Sequence, residues 1–247
     1  MSISAATVQV PAPSLSGVRG IVFDLDNTLV DFLRMKRVAS DAAARAMVQA
    51  GAVFGFSADE AGDILFGAYM EDLEGESVFA RFVDQHHRAR LGLSQHHADR
   101  ITAAAVHAYL RAKMLWTEPY PGVRRTLLEL GRRGLRFGVL TDAPRFKAYQ
   151  RLEAAGIADL FDFVVTATDT GAHKPDPRPF RAALDRMGLP PPAVLMVGDS
   201  PERDIAGARA AGMRTAFARY GRPEAPAVAA DVVLESFEDL LRHAAPA

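Results

Sequence analysis

Asp24 and Asp26 stand two apart at the end of the apolar run Ile21-Val22-Phe23, inside the nonamer Ile-Val-Phe-Asp-Leu-Asp-Asn-Thr-Leu from Ile21 to Leu29. Residues two apart on an extended chain point the same way, so both carboxylates are expected to face one pocket. Like charges held that close repel unless a cation or a shared proton relieves them. A strand running out into a solvated acidic turn is the plainer alternative for this segment taken alone.

A second acidic pair lies in Gly198-Asp199-Ser200-Pro201-Glu202-Arg203-Asp204, again after a short apolar run. Ser200 is placed as an N-cap with Pro201 at the first helical position, so Asp199 ends a strand and Asp204 sits in the first turn of the next helix. Read structurally, both favour the positive end of that helix. Read chemically, Asp199 joins Asp24 in an all-oxygen site suited to Mg2+, a hard cation that takes few protein carboxylates. Lys174, one of four lysines in the chain, lies in Gly-Ala-His-Lys-Pro-Asp-Pro before a helix start. A loop lysine is usually a solvated charge, but one fixed by such a turn can neutralise both Asp24 and a bound phosphate. Thr141 adds a hydroxyl at another strand end.

These side chains need a scaffold that delivers strand ends to one rim. From Pro121 onward helical stretches alternate with short apolar runs: Val123 to Arg132, then Leu135 to Leu140; Arg145 to Ala155, then Phe161 to Thr166; Pro177 to Met187, then Val194 to Val197; Pro201 to Ala211, then Thr215 to Ala218, with Val232 to Leu234 as a last edge strand. That alternation predicts a parallel α/β sheet, whose ligands bind beyond the carboxyl ends of the strands. Between Asp31 and Thr117 no strand-like run occurs; helical periodicity covers Phe32 to Ala50, Ser57 to Met70, Ser77 to Leu91 and Ser94 to Trp116, which predicts an all-helical insertion. The expected division is a loose arm over 1–17, a core over 18–31 and 118–247, and a helical cap over 32–117.

The bulk numbers narrow the partners. With 247 residues, 49% of them apolar, and a formal net charge of -1, the chain has ample core and no bulk attraction to nucleic acid or an anionic membrane. Zero cysteines remove disulfides, thiolate metal sites and cysteine nucleophiles. The first segment does not look like a signal peptide and no window reaches a membrane span, so a cytoplasmic location and a monomer or homodimer are the expectation. The pairs His86-His87 and His96-His97 are read as solvated helix faces, because adjacent histidines diverge on a helix. Arg34 and Arg37 are expected either on an exposed face or in reach of a substrate's anionic group.

Taken in order, Asp24-x-Asp26, Thr141, Lys174 and Asp199 with Asp204 resemble the four motifs of the haloacid dehalogenase-like hydrolase superfamily, subfamily I with a helical cap, in its phosphoglycolate-phosphatase-like branch. The resemblance covers nearly the whole chain. It implies a Rossmann-like sheet of strand order 5-4-1-2-3 and a magnesium-dependent phosphatase acting on a small phosphorylated metabolite. Asp24 would be the nucleophile forming an aspartyl phosphate, and Asp26 the acid and base. Mg2+ would sit on Asp24, the Asp26 carbonyl and Asp199, with Asp204 and Ser200 behind them. Thr141, Asp142 and Lys174 would hold the phosphoryl group. One departure is Asp142, where many relatives carry Asn. The alternatives are a sugar phosphomutase using the same intermediate and a non-catalytic phospho-ligand-binding protein.

Overall fold

The computed structural model describes residues 15–71, 77–88 and 94–243, so most of the expected arm over 1–17 and the end of the helix expected to reach Leu91 lie outside the described residues. The chain separates into two compact units, the described residues of Met1–Val30 with Pro119–Ala247, and Asp31–Glu118.

The first unit is a six-stranded sheet built from β1 (Gly20–Phe23), β2 (Arg136–Thr141), β3 (Phe163–Thr166), β4 (Val194–Gly198), β5 (Arg214–Ala218) and β6 (Val232–Leu234). Its order is β3-β2-β1-β4-β5-β6, and every neighbouring pair runs parallel. The expected order 5-4-1-2-3 is contained in it, with β6 added beside β5. β1 is central, with Phe23 in register with Val139 of β2 on one side and Val197 of β4 on the other.

Alternation along the strands divides the core into two layers. Ile21, Phe23, Val139, Leu195 and Val197 join Leu127 and Leu130 of α5 (Val123–Arg132) and Ala148 and Leu152 of α6 (Arg145–Ala154). Val22, Leu140, Val194 and Met196 join Phe180, Ala183 and Met187 of α7 (Pro177–Met187) on the other face. At about 25 cal/mol per Å² of apolar surface removed from water, these two layers are the main source of the unit's stability.

One local departure matters for the site. The segment expected as a plain helix from Pro201 begins with a π-helical turn, Pro201–Ile205, before α8 (Ala206–Ala210). Such wide turns are often found at functional sites, because they redirect side chains that an α-helix would fan outward.

The second unit comprises α1 (Phe32–Gln49), α2 (Ala58–Glu71), α3 (Ser77–Val83) running into a π turn to Arg88, and α4 (Gln95–Trp116). Asp31 caps α1 by accepting from Arg34 N, and Ser94 caps α4 by accepting from His97 N. Ser57 and Glu60 form a reciprocal capping box at α2, as their spacing predicts, and the hydrogen bonds from Ser57 hold the Glu60 carboxyl below its usual range. Ala39, Ala43 and Met47 of α1 share a core with Ile101, Ala105 and Tyr109 of α4. His86 is half-buried where a solvated face was expected: its ring packs on Phe56 and Phe82, with centroids 5.6 and 4.7 Å away. Arg34 lies over the Trp116 ring at 4.9 Å, and Arg37 is paired with Asp63 and, at 3.5 Å, with Asp41.

Candidate active site

β1 ends at Phe23 and delivers Asp24 to the rim of the sheet, where its N–H still donates to the Val197 carbonyl at 2.9 Å. The neighbouring strand β4 delivers Asp199 just past Gly198, and the π turn after Ser200 swings Asp204 back over the same strand end. Carboxylate oxygens of Asp24, Asp199 and Asp204 lie within 4.8 Å of one another, and all three residues are buried. A Cβ on Gly198 would lie 2.4 Å from the Asp204 carboxyl carbon, so glycine is what lets the turn fold back this closely. Asp204 is fixed there by Ser200 N, which donates to its Oδ2 at 3.0 Å.

Lys174 enters the cluster from the loop before α7. Its Nζ donates to Asp24 Oδ1 at 2.5 Å, to Asp204 Oδ1 at 2.6 Å and to the Leu140 carbonyl at 3.1 Å. Only 2% of its side chain is exposed. Its backbone N–H is held by Asp142 Oδ1 at 2.8 Å, and the Lys174-Pro175 bond is cis. Asp142 therefore does in this chain what an amide oxygen would do, and its second oxygen meets Arg203 Nη1 at 3.4 Å. Thr141 closes the turn after β2, its hydroxyl accepting from Ala143 N at 3.1 Å.

The charges do not balance. Burial, then repulsion from Asp204 and Asp199, pushes the Asp24 carboxyl well above its usual range against the opposing pull of Lys174. Burial and Asp204 likewise raise Asp199 to about 7, opposed by Arg203, Lys174 and Arg222. Burial works against the Lys174 ammonium, yet Asp204 and Asp24 outweigh it and hold it above the ordinary lysine value. Three carboxyls thus face one buried ammonium, with Arg203 and Arg222 acting on them from more exposed positions, so a divalent cation at the centre would relieve the excess negative charge. Asp199 Oδ1 is buried without a hydrogen-bond partner. An oxygen-only set with one such orphaned carboxylate oxygen fits a hard divalent ion.

Asp26 follows on the loop after β1. After Phe23 the chain leaves strand geometry, Asn27 adopts φ 59°, and Asn27 N bonds the Val30 carbonyl at 2.8 Å. The Asp26 carboxylate is paired with Arg151 of α6, its Oδ2 2.5 Å from Nη1. Arg151 is invisible to sequence reasoning, being one more cation on an amphipathic helix; its place beside core residue Leu152 is the only cue. A second unanticipated support is the turn Arg219–Gly221 after β5. Tyr220 donates its hydroxyl to the Thr28 carbonyl at 2.8 Å, and a Cβ on Gly221 would lie 1.7 Å from the Asn27 carbonyl oxygen. Arg34 and Arg37 are held within the helical unit by the contacts given above.

With the geometry in hand, comparison with known proteins is informative. Residues 18–212 match the family described as haloacid dehalogenase-like hydrolase. The chain is 34% identical over 206 residues to a glyceraldehyde 3-phosphate phosphatase of Methanopyrus kandleri, covering 83% of this chain and 85% of the relative. It is 31% identical over 244 residues to a phosphoglycolate phosphatase of Rhodospirillum rubrum, covering 90% and 87%. Among solved structures, a HAD-superfamily hydrolase of subfamily IA from Geobacter sulfurreducens superposes with a TM-score of 0.64 at 21% identity, covering 94% of this chain and 98% of the other, which is a likeness of fold. No helix among the described residues is long and apolar enough to cross a membrane.

Proposed function

This chain belongs to the haloacid dehalogenase-like hydrolase family, and on that premise we propose that it is a magnesium-dependent phosphatase that passes through an aspartyl phosphate on Asp24. It is a phosphoric monoester hydrolase acting on small phosphorylated metabolites. The names of its relatives favour short-chain esters of the size of phosphoglycolate and glyceraldehyde 3-phosphate as substrates.

What carries the reading is the position of Lys174 Nζ between Asp24 and Asp204, beside the partnerless oxygen of Asp199. Asp24, Asp199 and the main-chain carbonyl of Asp26 would hold Mg2+, with Asp204 behind them; when bound, the ion supplies the positive charge that lets an anionic nucleophile meet an anionic phosphate. Asp24 attacks phosphorus, the phosphorus–oxygen bond to the leaving group breaks, and Asp26 gives that oxygen its proton. Water then attacks phosphorus, Asp26 takes the water's proton, and the bond to Asp24 breaks, restoring both carboxyls. Lys174 and Thr141 steady the phosphoryl oxygens, with Lys174 fixed by Asp204 and Asp142.

The test is hydrolysis of p-nitrophenyl phosphate and of a phosphometabolite panel, with and without magnesium, in the parent and in Asp24→Asn. Turnover dependent on magnesium and lost in Asp24→Asn is expected; turnover that survives Asp24→Asn rejects the nucleophile, and an isomerised sugar phosphate in place of free phosphate marks a mutase.

A further inference from the structure

Arg203 lies inside the segment Gly198 to Asp204, yet it is neither a metal ligand nor a phosphoryl contact in the mechanism above. We infer that Arg203 is the counter-ion that lets this chain carry an acidic residue, Asp142, beside Thr141 without repelling an anionic substrate. The inference rests on the hydrolase reading and goes beyond it, naming a residue that governs how well the site takes a phosphate.

The two side chains meet at the rim that bears Asp24. Asp142 follows Thr141 at the end of β2, and Arg203 lies in the π turn after β4; these strands flank β1, whose end delivers Asp24. Neighbouring strands stand about 4.8 Å apart, so the pair joins segments that leave strands roughly 10 Å apart. Arg203 Nη1 donates to Asp142 Oδ2 at 3.4 Å, while its backbone N and its Nε both donate to Ser200 Oγ at 3.3 Å. Asp142 Oδ1 accepts from Lys174 N at 2.8 Å, and His173 Nδ1 lies 3.8 Å from that same oxygen. Arg203 thus takes the oxygen of Asp142 that Lys174 leaves over.

Charge is what this contact supplies. Burial works against the Arg203 guanidinium, yet the carboxylates of Asp204, Asp24, Asp142 and Asp199 outweigh it and hold it above the ordinary arginine value. Asp24 and Asp204 have the ammonium of Lys174 between them, whereas Asp142 holds only the backbone N–H of that residue. With 52% of the Arg203 side chain exposed against 19% for Asp142, the pair adds little to stability. An incoming phosphate is another matter. Without Arg203 it meets a carboxylate beside Thr141 that has lost its closest cation, and like charges at that range weaken binding. A single long contact uses no fork geometry, so the sign of the charge counts for more than the guanidinium's shape.

A double-mutant cycle tests the pairing. Arg203→Met is expected to lower kcat/KM on the best ester of the panel about tenfold, chiefly through KM, and to weaken inhibition by inorganic phosphate by a similar factor. Asp142→Asn removes the charge that Arg203 answers, so adding Arg203→Met to it is expected to cost less than about threefold relative to Asp142→Asn alone. Arg203→Lys keeps the charge and is expected to stay within about threefold of the parent. Arg203→Gln repeats the cycle should the methionine variant fail to fold. An equal penalty in both backgrounds means that Arg203 acts through the fold or by touching substrate itself, and no penalty in the parent means that Asp142 needs no counter-ion. Either result overturns the inference and leaves the hydrolase reading standing. A parent protein that hydrolyses no ester at all overturns both.

Discussion

Lys174 Nζ lies 2.5 Å from Asp24 Oδ1 although 150 residues separate them in the chain. The contact joins a strand end to the loop that precedes α7, and Asp204 completes it at 2.6 Å from the same nitrogen. Nucleophile, cation and supporting carboxylate are therefore one electrostatic unit, and removing any member changes the energy of the others.

Removing the ammonium exposes this coupling. Lys174→Met leaves Asp24, Asp204 and Asp199 facing one another in a buried space, and the loss of one partner from such a network costs about 3–5 kcal/mol. A denaturant titration of the variant is expected to show that loss, with turnover falling at least about 100-fold. The double variant Lys174→Met/Asp204→Asn removes one of the stranded charges and is expected to recover part of the stability and none of the activity.

The raised carboxyl of Asp199 predicts how metal and pH are linked. Its folded-state value of about 7 lies above the ordinary aspartate value of 3.8, so between those two values the folded protein holds a proton that the unfolded chain has released. Metal-free stability is accordingly expected to fall as pH rises from about 4 to about 7 and then to level off. Mg2+ must displace that proton, so the gain in melting temperature on adding it is expected to be small near pH 5 and largest above pH 7. In Asp199→Asn that gain and its pH dependence should both shrink; an equal gain at every pH in the parent contradicts the assignment.

Gly198→Ala tests the fold's part in aiming Asp204. A methyl 2.4 Å from the Asp204 carboxyl carbon cannot be accommodated unless the π turn shifts, at a cost of about 1–3 kcal/mol. Because that shift pulls Asp204 from Lys174, activity is expected to drop about tenfold or more although residue 198 has no functional group. Crystal structures of the variant, or the ammonium resonance of Lys174 by NMR, would register the displacement.

Asp142→Asn addresses the departure from the usual motif. An asparagine oxygen still accepts from Lys174 N, and what disappears is the 3.4 Å pairing with half-exposed Arg203 and the contribution of the Asp142 charge, smaller than those of Asp204 and Asp24, to holding Lys174 protonated. Thermal unfolding is expected to shift by the equivalent of less than about 1 kcal/mol, with turnover within about threefold of the parent. A larger effect on turnover would mean that the Asp142 charge matters to the site, through Lys174 or through the substrate.

Much of this protein is legible in its sequence, and the readable parts share a cause. β1, α7 and β6 fall where the apolar runs and the helical stretch from Pro177 to Met187 put them, because hydrophobic period acts over a few residues. The parallel sheet follows from the alternation of such elements, and the acidic and basic residues at strand ends are recognisable by type and order. Tertiary structure alone decided which charges meet. That Asp26 turns to Arg151, that a π turn folds Asp204 over Gly198, and that Tyr220 clasps Thr28 are contacts across 125, 6 and 192 positions that depend on a loop leaving strand geometry at Phe23 or a helix opening by one residue. Local composition has no term for either event, since the energy that selects them comes from neighbours brought in by the whole sheet.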